Sequence, residues 1–136
     1  GKPFSQFGPG MDSYPSTPFT QIGLQLSRET IDKRISERYG QQVASGFLEE
    51  VEIVMAKGLS RTAAPALGYK EFHSHLRGEC SLEEAIEKAV IATRRFARRQ
   101  ERWFRRDPRI NWLEVVEDPS EVLEEVLKIF DQANKN

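Results

Sequence analysis

Between Arg94 and Arg106 the chain carries seven arginines (Arg94, Arg95, Arg98, Arg99, Arg102, Arg105 and Arg106) against Glu101 as the sole acid and no lysine. This stretch is +6 in a chain whose formal net charge is −1. A guanidinium is permanently charged and presents a planar fork of donors that matches a phosphate. Arginines spaced along one side of a helix can therefore pair with successive phosphates of a nucleic acid, which makes binding salt-sensitive. A merely solvated helix face would mix in glutamates for i,i+4 pairing, so the composition points to phosphate or RNA. A solvated face and a basic helix for anionic membranes are the rival readings of the same residues.

Other residues could join this chemistry. Gln100 falls in the middle of an apolar helix face, where an amide needs a partner, either a backbone group or a nucleotide. Trp103 and Phe104 beside it can stack on a base or pack in a core. Lys70 follows Gly68-Tyr69 at a helix N-terminus, where free amides favour an anion. Cys80 is the single cysteine. It cannot form an internal disulfide, makes a poor zinc nucleus with only His73 and His75 nearby, and reads as structural. No phosphate-binding loop, dinucleotide fingerprint, H-E-x-x-H or serine elbow occurs, so no self-contained active site is visible.

The elements that position these residues follow from periodicity. Residues 1–19 hold Pro3, Pro9, Pro15 and Pro18 with Gly1, Gly8 and Gly10 and read as a Pro/Gly-rich linker. TQIGLQL alternates as a strand, with Ile22, Leu24 and Leu26 on one face. Ile31, Ile35, Tyr39, Val43, Phe47, Val51 and Val54 then predict a helical hairpin or one kinked helix to about Lys57, with Gly40 and Gly46 as kink sites and Gly58 as a stop. A short helix is expected from Tyr69, ending at Gly78. Ser81-Leu82-Glu83-Glu84 fits a capping box and opens a helix over 82–106, about 37 Å long at 1.5 Å per residue, ended by Asp107-Pro108. A wheel places Leu82, Ile86, Ala89, Thr93, Phe96, Ala97, Gln100, Trp103 and Phe104 on one face and the arginines on the other; Phe96 is expected in the core. RINWLEVV reads as a second strand. Asp118-Pro119-Ser120-Glu121 caps a closing amphipathic helix over 118–136.

With 136 residues and 38% hydrophobic content, one ordinary domain or part of one is expected. The opening GKPFSQFGPG has neither a signal-peptide nor a membrane run, which predicts a piece of a soluble, intracellular protein.

GYKEF at Gly68 to Phe72, SLEEAIE at Ser81 to Glu87, TRRFARRQERWFRRDPRINWL at Thr93 to Leu113 and the upstream RETIDKRISER together resemble, in order and spacing, the C-terminal half of bacterial tRNA dimethylallyltransferases. The similarity spans residues 1 to about 114. GKPFS is similar to the end of that family's helical insertion and TQIGL to a strand of its core.

The resemblance implies an α/β fold, here the mainly helical C-terminal portion of a P-loop, nucleotide-kinase-like fold with two short strands. Residues 20–117 would form the C-terminal part of the catalytic core. The N-terminal half, with the phosphate loop and the catalytic aspartate, would lie outside this chain, leaving it no catalytic residue or metal ligand and no activity alone.

The implied reaction transfers a dimethylallyl group from dimethylallyl diphosphate to N6 of the adenosine next to the anticodon, in the cytoplasm, with magnesium in the full-length enzyme and the tRNA anticodon stem-loop as partner. It needs a flipped-out base and cations to receive diphosphate. Residue by residue, Pro65, Ala66, Leu67, Gly68, Tyr69 and Lys70, with Arg98, Arg99, Gln100, Glu101, Arg102, Trp103, Phe104 and Arg105, match the family's tRNA-contacting segments. Arg34 and Arg38 match a diphosphate-binding R-I-x-x-R helix. Pro65 departs from the family, in which many relatives carry Arg or Gln there. The alternative is a non-catalytic RNA-binding or protein-interaction module.

Overall fold

The computed structural model describes residues 13–58 and 66–133. The chain divides into two compact units, residues 28–98 and the pair of segments 1–27 with 99–136.

In the first unit, the segment expected to form a helical hairpin or one kinked helix is two helices, α1 (Arg28–Ala44) and α2 (Phe47–Ala56). The break falls at Gly46, whose φ of 93° lies where L side chains rarely go. Helix α3 spans Tyr69–Leu76 and α4 spans Leu82–Phe104, its residues up to Arg98 belonging to this unit. The capping box that starts α4 is formed: the Ser81 amide donates to Glu84 Oε2 at 2.9 Å, and the Glu84 amide donates to Ser81 Oγ at 3.1 Å. Two peptide donors that helix geometry would orphan are thereby satisfied.

The core joins Ile35 and Tyr39 of α1, Val51 of α2, Phe72 of α3, and Ala85, Ala89 and Val90 of α4. Phe72 and Val51 are fully buried. The Phe72 ring stacks on Tyr39 at 6.1 Å and takes Phe47 edge-on at 5.1 Å, geometries favoured by the ring quadrupoles. Along α4 the buried line is Ala85, Ala89 and Thr93, residues four apart whose small side chains admit close helix packing. Phe96, expected in the core, is instead 40% exposed. The wheel gives the direction in which Phe96 points; it carries no information on where the neighbouring cover stops, and the apolar packing against this core extends along α4 only to Ala97.

In the second unit, β1 (Gln21–Gln25) pairs in parallel with β2 (Ile110–Glu114), Gln21 opposite Ile110 and Gln25 opposite Glu114. The Val115 amide extends the ladder to the Gln25 carbonyl at 2.8 Å. The described part of the Pro/Gly-rich segment is tied to this sheet by Arg109. Its guanidinium donates to the Pro15 carbonyl at 2.7 Å, pairs with Asp107 at 2.6 Å and lies 5.5 Å from the Tyr14 ring centre. That pairing holds the Asp107 carboxyl below the usual carboxylate range.

The closing helix begins differently from a plain α-helix. Pro119–Val122 forms a 3₁₀ turn, and α5 follows over Leu123–Ala133. The Glu121 carboxylate accepts from the amides of Val116, Glu117 and Asp118 at 2.9, 3.0 and 2.7 Å. No residue of α5 is fully buried, and no helix among the described residues is long and apolar enough to cross a membrane.

Candidate nucleic-acid interface

The seven arginines do not behave as one outward row, and α4 ends at Phe104, short of the expected 106, so Arg105 and Arg106 lie in the turn beyond it. In the first unit, Arg94 turns back to α1. Its Nη2 donates to the Asp32 carbonyl at 3.2 Å and to Ser36 Oγ at 3.0 Å, while its buried Nε sits 3.5 Å from Asp32 Oδ1, an ion pair without hydrogen-bond geometry. Arg98 reaches the other oxygen of the same carboxylate at 3.4 Å. In the second unit, Arg105 pairs with Glu101 at 3.1 Å, donates to the Gln25 side chain and lies 5.1 Å from the Trp112 ring centre. Arg99 and Arg106, both exposed, are likewise engaged within the protein. Arg95 and Arg102 are exposed and, among the described residues, have no ion pair or hydrogen bond. The expectation that all seven face outward is therefore corrected, because Asp32, far off in sequence, is brought beneath Arg94 and Arg98 by the packing of α1.

Gln100 is exposed, so water can satisfy its amide and the expected buried partner is not required. Trp103 and Phe104 are 54% and 42% exposed and pack edge to face at 4.9 Å. They line an open cleft of about 620 Å³ with Ile22, Arg109 and Trp112. Aromatic rings presented in this way can accept a stacked base.

The segment around Gly68 is organised by the first unit's core. Gly68 is buried with φ 92°, and a Cβ there would meet Tyr39 and Phe47 at 3.4–3.5 Å. Its amide donates to Glu71 Oε2 at 3.2 Å and its carbonyl accepts from Phe72 at 3.0 Å, which starts α3. Tyr69 follows, its ring edge-on to Phe47 and its hydroxyl donating to Glu50, which raises the phenol's pKa above its ordinary value. Leu67, Tyr69 and Arg38 thereby line one cleft of about 410 Å³, together with Gln42 and Glu50. Ala66 and Lys70 are exposed; Pro65 lies outside the described residues.

Arg34 and Arg38, four residues apart on α1, are exposed, and the Arg38 guanidinium lies 5.8 Å from the Tyr39 ring centre. Of the two predicted diphosphate ligands, only Arg38 borders the Tyr69 cleft. The Glu50–Tyr69 bond escaped sequence reasoning, since nothing in the spacing of α2 and α3 announces it. His75 Nδ1 lies 3.0 Å from the Cys80 carbonyl, a structural contact. Among the described residues no group of three or more His, Cys, Asp or Glu is placed to hold a metal ion.

Comparison with known proteins identifies the family. The family model described as IPP transferase matches residues 1–107. A tRNA dimethylallyltransferase of Nocardioides sp. is 49% identical over 115 residues, which is 83% of this chain and 37% of that protein. One from Paenarthrobacter aurescens is 42% identical over 136 residues, 98% of this chain and 43% of that protein. The crystal structure of the full-length tRNA isopentenylpyrophosphate transferase of Bacillus halodurans superposes with a TM-score of 0.78 at 30% identity, covering 85% of this chain and 39% of that one. The chain thus spans less than half the length of these relatives. A match running from the first residue through the Gly68 turn, the Ser81 cap and the arginine helix places the chain in the IPP transferase family.

Proposed function

We propose that this chain is the C-terminal, tRNA-contacting part of an enzyme that transfers a dimethylallyl group from dimethylallyl diphosphate to N6 of the adenosine next to the anticodon. In the transfer, the adenine N6 forms a bond to the allylic carbon, the carbon–oxygen bond to diphosphate breaks, and N6 loses a proton. The base that takes this proton, the phosphate loop of the P-loop core and the magnesium ligands are assigned to polypeptide beyond this chain. The reaction takes place in the cytoplasm.

This chain's own residues would do two things. Arg34 and Arg38, projecting from α1, supply positive charge for the leaving diphosphate. The Leu67–Lys70 turn and the exposed Arg102, Trp103 and Phe104 bind and orient the anticodon stem-loop, cations on phosphate and rings on bases. The observation that carries the reading is Arg102-Trp103-Phe104. An arginine without an intramolecular partner among the described residues is followed by two aromatics left in solvent, within the segment that matches the family's tRNA contacts.

The test is to incubate the complete gene product with dimethylallyl diphosphate, magnesium and an anticodon stem-loop bearing the target adenosine. A mass gain of one dimethylallyl group on the RNA, absent when that adenosine is replaced by guanosine, is expected. Binding without transfer would favour the non-catalytic module instead.

A further inference from the structure

On the side of the first unit formed by α3 and α4, a groove of about 330 Å³ is lined by Lys70, Glu71 and Ser74 from α3 and by Lys88, Ile91, Ala92 and Arg95 from α4. Lys88, Ala92 and Arg95 stand at i, i+4 and i+7, one stripe of a helix. Lys70, Lys88 and Arg95 are all exposed and, among the described residues, none has an ion pair or hydrogen bond.

One carboxylate, Glu71, faces these three cations in the groove, so the lining keeps a net positive charge. The acid in the groove, Glu71, has one carboxylate oxygen accepting the Gly68 amide. The residue four before Lys88 is Glu84, whose carboxylate accepts the Ser81 amide in the capping box. The residues three and four from Arg95 are Ile91, Ala92, Arg98 and Arg99. Three cations thus border one concavity against a single carboxylate that is itself tied to a backbone amide, a net positive lining that favours an anion.

The floor narrows the anion's identity. Ile91, 39% exposed, and Ala92 offer an apolar surface between the cations, and Ser74 adds a hydroxyl. Lys88 and Arg95 are about 10 Å apart along the helix axis, which suits two separate anionic groups joined by a less polar unit. A ribose-phosphate strand has that alternation.

We infer that the α3–α4 groove of Lys70, Lys88 and Arg95 holds a stretch of the tRNA's sugar-phosphate backbone, with Lys88 and Arg95 as phosphate contacts additional to the segments 65–70 and 98–105. The inference rests on the proposed function for the identity of the RNA. The contact reads charge and not sequence.

The experiment measures binding of a fluorescent anticodon stem-loop to the complete gene product over a salt series, for wild type, K88Q/R95Q, K88R and the charge control K57Q/K128Q, whose lysines do not line the groove. Expected for K88Q/R95Q are a several-fold weaker Kd and a salt slope lowered by about 2, one for each lost phosphate contact. A stem-loop of altered loop sequence should lose the same factor. K88R and the charge control should bind as wild type does. Wild-type affinity and slope in K88Q/R95Q would overturn the groove assignment while leaving the function standing. An equal loss in K57Q/K128Q would overturn it too, by showing a net-charge effect. A wild-type protein that neither binds nor modifies the stem-loop would overturn the proposed function along with it.

Discussion

Asp32 on α1 holds Arg94 of α4, with Oδ1 3.5 Å from the buried Nε and the Asp32 backbone carbonyl accepting Nη2 at 3.2 Å. The same carboxylate also takes Arg98, so one acid withdraws two of the seven arginines from solvent anions. Asp32→Asn should therefore have opposite effects on stability and on RNA binding. The carboxylate is about 29% exposed, and such a partly screened pair is worth about 1 kcal/mol or less; denaturant unfolding should show a loss of that size. Stem-loop affinity should rise and its salt slope should steepen, because Arg98 is released. An affinity that falls would show Asp32 to be orienting the arginines for RNA and not restraining them.

Tyr39 and Thr93 share a buried hydroxyl–hydroxyl hydrogen bond of 2.8 Å between α1 and α4. Thr93→Val would leave the Tyr39 hydroxyl buried without a partner and should cost about 1–3 kcal/mol. The double variant Tyr39→Phe/Thr93→Val removes both polar groups and should recover much of that loss. Additive losses in a double-mutant cycle would mean that the two hydroxyls are not coupled.

Gly68 combines φ 92° with ψ −49°, outside the regions open to L side chains. The space at its Cβ is ordinary van der Waals contact, so Gly68→Ala should suffer from backbone strain and not collision, at roughly 1–3 kcal/mol. Because the Gly68 amide and carbonyl start α3, hydrogen exchange at Phe72 should accelerate in the variant. Unchanged exchange and stability would mean that the turn relaxes at no cost.

Glu121, accepting three backbone amides, has its carboxyl held below the ordinary glutamate value, the Asp118 amide being the largest cause and those of Val116 and Glu117 adding to it. The folded state thus binds the proton more weakly than the unfolded state does. This contribution is fully present above the unfolded glutamate value and is lost as pH falls through the lower, folded one. Acidification should fray the Pro119–Val122 turn and the start of α5 in wild type. Glu121→Ala should show that fraying already at neutral pH, and an identical pH profile in the two proteins would rule out the carboxylate as the cap.

Much of this was legible because it is local. The Ser81–Glu84 box, the Gly46 break and the Asp118–Glu121 cap all lie within a turn of the residues that announce them. The alternation of TQIGL and the β-branched and aromatic content of RINWL likewise mark the two strands, though not that they pair with each other or that the pairing is parallel. What was missed is long-range. Arg94 and Asp32 are 62 positions apart, and no helix wheel of α4 contains α1. Phe96 illustrates the other gap, since periodicity sets an azimuth while burial depends on how far the packed neighbours extend. The family resemblance located the Gly68 and Arg98–Arg105 segments, but which guanidinium groups are engaged by the protein required coordinates.

Contact between the arginine helix and RNA phosphate underlies the proposed function. Its most direct test is the salt dependence of anticodon stem-loop binding for the complete gene product and for R98Q/R99Q/R102Q. Weaker binding in the variant and a shallower slope, by about 1 for each phosphate contact removed, are expected. Equal affinity and equal slope in the two proteins would contradict it.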